Sequence, residues 1–244
     1  MTVHSLEDGR QHVAGYTHTN FEMRRQLLRW MLRVIGMPLL VKIDAVEGLE
    51  NIPARTSAIL MINHIAFIDP IVVLHLLPRN IVPLAKAEVY DYPVVGIFPK
   101  IWGVIPVRRE EVDRHAIQTC LEVLRAGEIV LVAPEGTRGP ALQRGREGVA
   151  YLASRSGAPV IPVAIDGTES LPALRYTKRW HEPGAHIRFG RPFCFHDNLK
   201  RSKAQTLRQM TDEALYVLAG MLPEHRRGEY ADLSKATQET FEWL

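Results

Sequence analysis

Residues 57–77 read SAILMINHIAFIDPIVVLHLL, an apolar stretch interrupted by Asn63, His64 and Asp69. The part before Asn63 is typical of a buried strand, and the part from Pro70 onward is typical of a short helix. His64 and Asp69 therefore fall where a strand ends and a helix begins, which is where open α/β sheets bind ligands. Two simpler interpretations stay open. Asp69 before Pro70 fits a helix N-cap, and His64 fits a hydrogen-bonded core histidine.

A histidine paired with an aspartate has a defined chemistry. A carboxylate that holds one ring nitrogen fixes the tautomer and leaves the other nitrogen free to take a proton. Ala66 lies between His64 and Asp69, so this loop offers no hydroxyl that could be acylated. A base without a nucleophile of its own suits direct attack by the hydroxyl group of a substrate.

Outward from this stretch, strand-like and helix-like segments alternate along the chain. Such alternation predicts an α/β fold with a single mixed, partly parallel sheet flanked by helices. We assign this domain to residues 42–222, a length that can bury a core without disulfides. Residues 1–20 are expected to be a flexible tail, and residues 223–244 a polar C-terminal tail.

The segment 21–41 is predicted to be a basic amphipathic helix that ends near Gly36–Pro38. Its apolar residues recur at helical spacing with arginines between them: Leu27, Leu28, Met31, Leu32 and Ile35 alternate with Arg24, Arg25, Arg29 and Arg33. One interpretation is a helix packed on its own domain. The other is a helix at a membrane surface, with Trp30 and the apolar residues in lipid and the arginines at anionic headgroups.

The composition of the rest of the chain argues against secretion, a membrane-spanning helix, a zinc site and nucleic-acid binding. The polar N-terminus lacks the apolar segment of a secretory signal, and the longest uncharged run, 56–68, is too short to span a bilayer as a helix. The two cysteines, Cys120 and Cys194, form no CxxC pair, which argues against a disulfide framework or a zinc site and fits a reducing compartment. A net charge of +3 gives no support for a nucleic-acid partner.

Three further stretches carry candidate binding residues. Residues 129–139, IVLVAPEGTRG, run from a strand into a turn whose glycines permit an anion-binding nest, with Arg138 as a fork for phosphate. An ordinary turn with a surface salt bridge is the alternative. Residues 86–109 combine Gly96 and Gly103 with positive charge, or form a solvated basic loop. Pro162, inside an apolar strand, predicts an edge, a bulge or the rim of a pocket.

Together these stretches resemble a known family, the glycerolipid acyltransferases of the 1-acylglycerol-3-phosphate acyltransferase type. The NHxxxxD motif of that family is matched by Asn63, His64 and Asp69, and its EGTR motif by Glu135, Gly136, Thr137 and Arg138. A Lys–Gly–Gly–Arg block is matched by Lys86, Gly96, Gly103 and Arg108, and an apolar strand with a central proline by 160–162. The similarity covers roughly residues 25–220. Ala66 and Ala133 replace residues that are often Ser or Thr and aromatic in the family.

The resemblance implies an enzyme that moves a fatty acyl group from acyl-CoA or acyl carrier protein to the free hydroxyl of a lysophospholipid. The preferred acceptor is lysophosphatidic acid. His64 and Asp69 would be catalytic, and Lys86, Arg108, Glu135, Gly136, Thr137 and Arg138 would bind substrate. No cofactor or metal is expected, because a thioester is already activated. The unpaired cysteines and the lack of a secretory signal, together with amphiphilic substrates, predict a peripheral or monotopic protein on the cytoplasmic face of the membrane. Glycerol-3-phosphate, a lyso-ornithine lipid or another lysophospholipid as acceptor stays open, as does a non-catalytic lipid-binding protein.

Overall fold

The fold is taken from a computed structural model that describes residues 21–93, 95–108, 112–173, 175, 177–196, 199 and 204–244. The expected tail over 1–20 and Arg109 lie outside the described residues. The described residues contain nine strands: β1 (Ile43–Glu47), β2 (Ala58–Ile62), β3 (Ile81–Lys86), β4 (Ile105–Val107), β5 (Ile129–Val132), β6 (Val160–Asp166), β7 (Ala185–Phe189), β8 (Phe193–Phe195) and β9 (Phe241–Trp243).

All nine strands belong to one mixed sheet. Its main order is β1-β7-β6-β2-β5-β3-β4, with β8 beside β6 and β9 beside β8. The five strands from β6 to β4 are parallel to one another, whereas β7 and β8 run antiparallel to β6. The predicted fold class is confirmed. Parallel strands end at the same edge, so the loops after β2, β3, β4, β5 and β6 share one side of the sheet.

Helices cover both faces of the sheet. They are α1 (Glu22–Met31), α2 (Met37–Leu40), α3 (Asp69–Leu76), α4 (Ile97–Trp102), α5 (Arg114–Arg125), α6 (Gly148–Ser156) and α7 (Ala204–Met221). In β2, Ile59 and Met61 pack with α5, α6 and α7, while Ala58, Leu60 and Ile62 pack with α3 and α4. Burial on both faces explains why this strand is an uninterrupted apolar run.

Pro162 lies within the sheet at a break between two neighbours of β6. Val160 pairs with Phe193 of β8, and Val163 pairs with Phe189 of β7. Between them the carbonyl of Pro162 accepts from Gly190, 2.8 Å away. The proline thus stands where the neighbouring chain bends from one strand to the next, which is a position that tolerates its missing N–H.

The N-terminal helical segment differs from the sequence prediction in its end and in its orientation. A π-helical turn, Leu32–Gly36, joins α1 to α2. The helical segment therefore continues past Gly36 and ends at Leu40. Arg25 is fully buried, whereas Leu27 and Trp30 are 59% and 57% exposed. Arg25 and Arg29 face the protein together with Leu28, whereas Arg24 and several apolar side chains face outward. No helix among the described residues is both long and apolar enough to cross a membrane.

The C-terminal residues are folded onto the domain and do not form the expected polar tail. They contain three short 3₁₀ helices, Glu224–Arg226, Gly228–Tyr230 and Leu233–Lys235, followed by β9. Strand β9 extends the sheet by pairing with β8, in register from Phe193 to Phe195. Polar composition alone gave the wrong prediction here, because the few apolar side chains of the segment, such as Tyr230 and Phe241, are buried.

Candidate active site

The predicted pair lies at the edge of the sheet where the parallel strands end. His64 follows β2 by two residues, Asp69 begins α3, and His64 Nδ1 is 2.9 Å from Asp69 Oδ2. A carboxylate only accepts hydrogen bonds, so Nδ1 carries the proton and Nε2 keeps its lone pair. No described residue hydrogen-bonds Nε2, and 18% of the His64 side chain is exposed. This nitrogen can therefore accept a proton from a molecule outside the chain.

The Asp69 carboxylate has no exposed surface. Besides His64, its Oδ2 accepts from the backbone N–H groups of Ile65 at 2.7 Å and Ala66 at 2.8 Å. Its Oδ1 accepts from the Thr168 hydroxyl at 2.5 Å. These donors replace the water that a buried carboxylate loses and leave it one orientation. The backbone donors precede α3, so Asp69 does not act as the N-cap that the sequence also allowed.

Asn63 anchors the chain immediately before the histidine. Its side-chain amide donates to the carbonyl of Ile165 and accepts from the N–H of the same residue, both at 2.8 Å. The pairing of β2 with β6 ends at Ile62 and Val163, so the amide continues the ladder by one step. This contact fixes the direction in which the chain leaves the sheet.

Glu135 ties the loop after β5 to the backbone of His64. Its Oε1 accepts from His64 N–H at 3.2 Å and its Oε2 from Gln143 N–H at 3.0 Å, and it is 6% exposed. Gly139 N–H completes the link by donating to the His64 carbonyl at 2.9 Å. Each Glu135 oxygen thus accepts one hydrogen bond from the chain, and the predicted contact of Glu135 with a substrate stays a prediction.

Burial raises the pKa of the Glu135 carboxyl to about 7; the two backbone donors act in the opposite direction, and the Asp69 charge adds to the rise. Desolvation disfavours the ionised form of a carboxylic acid, and here it exceeds the effect of the two hydrogen bonds. Glu135 therefore titrates near neutral pH while in contact with the backbone of His64.

The turn 136–138 presents the remaining residues of the second motif to solvent. Gly136 has φ +70°, a value that favours glycine, and its N–H donates to the carbonyl of Ala133 at 3.1 Å. That N–H is occupied within the turn. Thr137 and Arg138 are exposed, and their backbone N–H groups have no hydrogen-bond partner among the described residues. These two N–H groups are the ones that the turn can offer to an anion.

Lys86 and Arg108 lie on the same edge but farther from the pair. Lys86 is the last residue of β3, two strands from β2, and Arg108 follows β4, three strands away. At a strand spacing of about 4.8 Å, their backbones are roughly 10 and 14 Å from the end of β2. Both side chains are exposed, and Lys86 Nζ is 2.9 Å from Glu88 Oε1. The His64–Asp69 pair and the basic side chains Lys86 and Arg108 therefore lie on the same edge of the sheet but at different positions along it.

Comparison with known proteins agrees with this arrangement. The model of a family described as Acyltransferase matches residues 45–166, which is half of the 244-residue chain. The chain belongs to the acyltransferase family. The matched range runs from β1 to the last residue of β6 and contains both motifs, so every catalytic or substrate-binding residue predicted from the sequence falls inside the family domain.

Several members of the family are similar to the chain. A 1-acyl-sn-glycerol-3-phosphate acyltransferase of Borreliella burgdorferi is 30% identical over 155 residues, covering 62% of this chain and 60% of that protein. One of Bacillus subtilis is 32% identical over 122 residues, covering 50% and 61%. The chain therefore spans about three-fifths of the length of these two relatives.

A solved structure is also similar. The crystal structure of the 1-acyl-sn-glycerophosphate acyltransferase PlsC from Thermotoga maritima matches with a TM-score of 0.58 and 26% identity. The match covers 88% of this chain and 83% of that chain. The shared fold therefore extends well beyond the family domain.

Sequence reasoning missed two residues of the site. Thr168, which holds Asp69, follows β6 in a short turn; its only signal was a small polar residue just past a strand end. Arg146 donates its N–H to the carbonyl of Pro134, and a Cβ built on Gly136 would lie 3.4 Å from Arg146 Nε. The basic run QRGR at 143–146 was the signal that could have placed a second guanidinium at the turn of the acyltransferase motif.

Proposed function

We propose that the protein is an acyltransferase that acylates the free hydroxyl of 1-acylglycerol-3-phosphate and so forms phosphatidic acid, with an acyl thioester as donor. The single observation that carries the proposal is the His64–Asp69 pair at the carboxyl edge of the sheet, with Nε2 unoccupied by any described residue. The relatives' names support the acceptor. Acyl-CoA and acyl carrier protein remain equally suitable donors, because both deliver the same thioester.

In the proposed reaction His64 is the general base. Its Nε2 takes the proton of the acceptor hydroxyl, and the oxygen attacks the thioester carbonyl to form a tetrahedral oxyanion. Collapse breaks the carbon–sulfur bond, and the imidazolium returns its proton to the departing thiolate. Asp69 holds Nδ1–H throughout, and the chain supplies no covalent intermediate. Each turnover releases one ester and one thiol.

Anionic groups would be held by the turn 136–138 and the basic side chains along the same edge. The N–H groups of Thr137 and Arg138 suit the oxyanion, for which one well-placed donor is worth about 3 kcal/mol. The Arg138 guanidinium suits the acceptor phosphate, with Lys86 or Arg108 reaching from farther along the edge. In this proposal Glu135 supports the loop through one hydrogen bond to each oxygen, and its remaining acceptor capacity is available to the glycerol part of the acceptor.

Both substrates are amphiphilic or carry an amphiphilic group, so the protein is proposed to work at a membrane surface. Exposed apolar side chains on the N-terminal helical segment support this: Met23, Leu27, Trp30, Met31, Val34, Ile35 and Leu39. Apolar residues arrayed along one helix are suited to the interface between headgroups and acyl chains. The cytoplasmic leaflet is the proposed location, in keeping with cysteines that form no pair.

The decisive test is thiol release from an acyl-CoA or an acyl carrier protein, with and without 1-acylglycerol-3-phosphate. We expect release that requires the lysolipid. In His64→Ala we expect kcat to fall at least about 100-fold, which is the lower end of the contribution of a general base. The variant should still fold, with a lower midpoint of thermal unfolding because the buried Asp69 carboxylate loses the Nδ1–H donor, so kcat is compared well below that midpoint.

Each other outcome points elsewhere. Release without an acceptor would indicate a thioesterase. Glycerol-3-phosphate or other lysolipids in place of 1-acylglycerol-3-phosphate test the acceptor without changing the donor. Retention of near wild-type turnover by His64→Ala would show that the mechanism is wrong.

A further inference from the structure

The residues after α7 return to the edge of the sheet that carries the candidate active site. The N–H of Leu142 donates to the carbonyl of Arg226 at 2.8 Å, and the N–H of Glu229 donates to the carbonyl of Leu142 at 3.0 Å. Two backbone hydrogen bonds therefore join the segment 226–229 to the loop after β5. This segment lies outside the residues matched by the family model, which end at 166.

The Arg226 side chain joins its own segment, 226–229, to the loop after β5 and to the end of β6 with the turn that follows it. This side chain is 10% exposed. Nε donates to Asp166 Oδ1 at 2.7 Å, and Nη1 donates to the carbonyl of Pro140 at 2.8 Å. Nη2 forms an ion pair with Glu169. A planar guanidinium with donors in fixed directions holds such partners at set separations, which a lysine does not reproduce.

Each of the two loops joined by Arg226 also holds one member of the catalytic pair. The loop 135–143 contacts the His64 backbone through Glu135 Oε1 and through the N–H of Gly139. The loop 166–169 contacts Asp69 through the hydroxyl of Thr168. The two loops therefore hold the His64 backbone and the Asp69 carboxylate from opposite sides, in addition to the bonds from Ile65 and Ala66 to Asp69.

We propose that Arg226 is a positioning residue for the His64–Asp69 pair, acting as a clasp between the loops 135–143 and 166–169. This inference rests on the proposed function, in which that pair is the base. Without the guanidinium, Asp166 and Glu169 lose their shared cation and Pro140 loses its donor, so the loops are free to separate. A displacement of about 1 Å in a reacting group is enough to slow a reaction about 100-fold.

The test compares Arg226→Gln and Arg226→Lys with the control Arg227→Gln. Arg227 is the next residue in the same turn, and its Nε donates to the carbonyl of Leu222 at the end of α7, away from both loops. We expect Arg226→Gln to lower kcat about 10- to 100-fold with both KM values within about twofold. Arg226→Lys should fall between Arg226→Gln and the wild type, and Arg227→Gln should equal the wild type. Assays are run well below the midpoint of thermal unfolding of each variant.

A second measurement is independent of activity. Amide hydrogen exchange should quicken at Gly139 and Gln143 in Arg226→Gln and not in Arg227→Gln, because those amides are the ones that the clasp keeps in place. Faster exchange with no acyl transfer even in the wild type would mean that the proposed function is wrong and the clasp is right. If Arg226→Gln does not fold, the same two readouts on Arg226→Lys decide.

Three results would overturn the proposal. One is a folded Arg226→Gln variant, or Arg226→Lys where the Gln variant does not fold, with kcat within about twofold of the wild type. Another is a raised KM with kcat unchanged, which would assign Arg226 to substrate binding. The third is unchanged exchange at Gly139 and Gln143.

Discussion

The hydrogen bonds of Asp69 explain why a carboxylate is tolerated in the middle of an apolar run. An isolated buried charge is costly, but here four donors surround it: one imidazole N–H, two backbone N–H groups and one hydroxyl. The backbone of Ile65 and Ala66 curls around the side chain to supply two of them. Because the carboxylate has no exposed surface and these donors fix its position, the imidazole bonded to it is held in one orientation, with Nε2 free of contacts to described residues.

Glu135 gives a prediction at the same scale, because its pKa of about 7 is raised from the ordinary value of 4.5. Below pH 4.5 the carboxyl is protonated in both the folded and unfolded states. Between pH 4.5 and 7 only the folded state keeps the proton, so this group makes the free energy of unfolding decrease as pH rises through that window. Above pH 7 both states are ionised and the decrease stops.

Substitution isolates this contribution. Urea unfolding of the wild type and of Glu135→Gln at pH 4.5, 6 and 8 should show the stability of the wild type falling relative to the variant by about 3 kcal/mol in total. Glu50→Gln, at an exposed glutamate, is the matched control and should follow the wild type. A constant difference between the wild type and Glu135→Gln across this range would contradict the raised pKa.

At the scale of elements, the strands were the most predictable part. Their apolar runs are fixed by burial on both sides of the sheet, and the two motifs follow directly from strand ends, so β2, β5 and β6 could be located from sequence. The sequence HIRFGRPF at 186–193 is typical of a single strand, whereas the structure has two strands there, β7 and β8, separated by residues 190–192. The local sequence pattern does not show such an interruption. It arises because β6 pairs with β8 at Val160 and with β7 from Val163 onward.

The N-terminal helix shows a different limit of sequence pattern. Periodicity identifies two sides of a helix but not which one faces the protein. Here Arg25 donates to the carbonyl of Trp102, and Arg29 donates to that of Pro78 at 3.1 Å. Those carbonyls lie at or just after the ends of α4 and α3, where helices leave acceptors unsatisfied. The arginines are drawn inward by partners that become adjacent only in the folded chain.

This orientation changes the prediction for membrane binding. Since Arg25 and Arg29 are engaged within the protein, attachment should depend on exposed apolar side chains more than on anionic headgroups. We expect Leu27→Ser and Trp30→Ser each to weaken liposome co-sedimentation about tenfold, as each removes apolar surface worth roughly 1.5 kcal/mol or more. Added salt should change the binding of the wild type little.

The matched control is Leu49→Ser, a 40% exposed leucine in the turn after β1. Binding equal to the wild type is expected for it. If salt removes the wild type from liposomes while Trp30→Ser binds normally, headgroup electrostatics dominate and this view of the helix is wrong. Point substitutions are preferable to deleting 1–40, because deletion also removes the arginines that cap α3 and α4.

At the scale of the whole molecule, the C-terminal residues complete the sheet that carries the site. Strand β8 meets β6 only at Val160, and β9 is its other neighbour. Phe241 of β9 packs against Phe193 of β8 with ring centroids 4.5 Å apart and is 4% exposed. This packing belongs to the core cluster formed with α5, α6 and α7, so the end of the chain is part of the domain.

Phe241→Ala should therefore lower the free energy of unfolding by about 3–5 kcal/mol, the usual cost of removing a buried phenylalanine. Urea unfolding measures this loss. The neighbouring Glu242→Ala is the control, since that side chain is exposed, and it should change stability by no more than about 0.5 kcal/mol.

Below the unfolding transition Phe241→Ala should keep its kcat, because the ring is remote from the His64–Asp69 pair. Arg226→Gln, in contrast, should lose kcat with a smaller loss of stability. A loss of stability under about 1 kcal/mol in Phe241→Ala would mean that β9 is dispensable and that the residues after 230 behave as the tail predicted from composition.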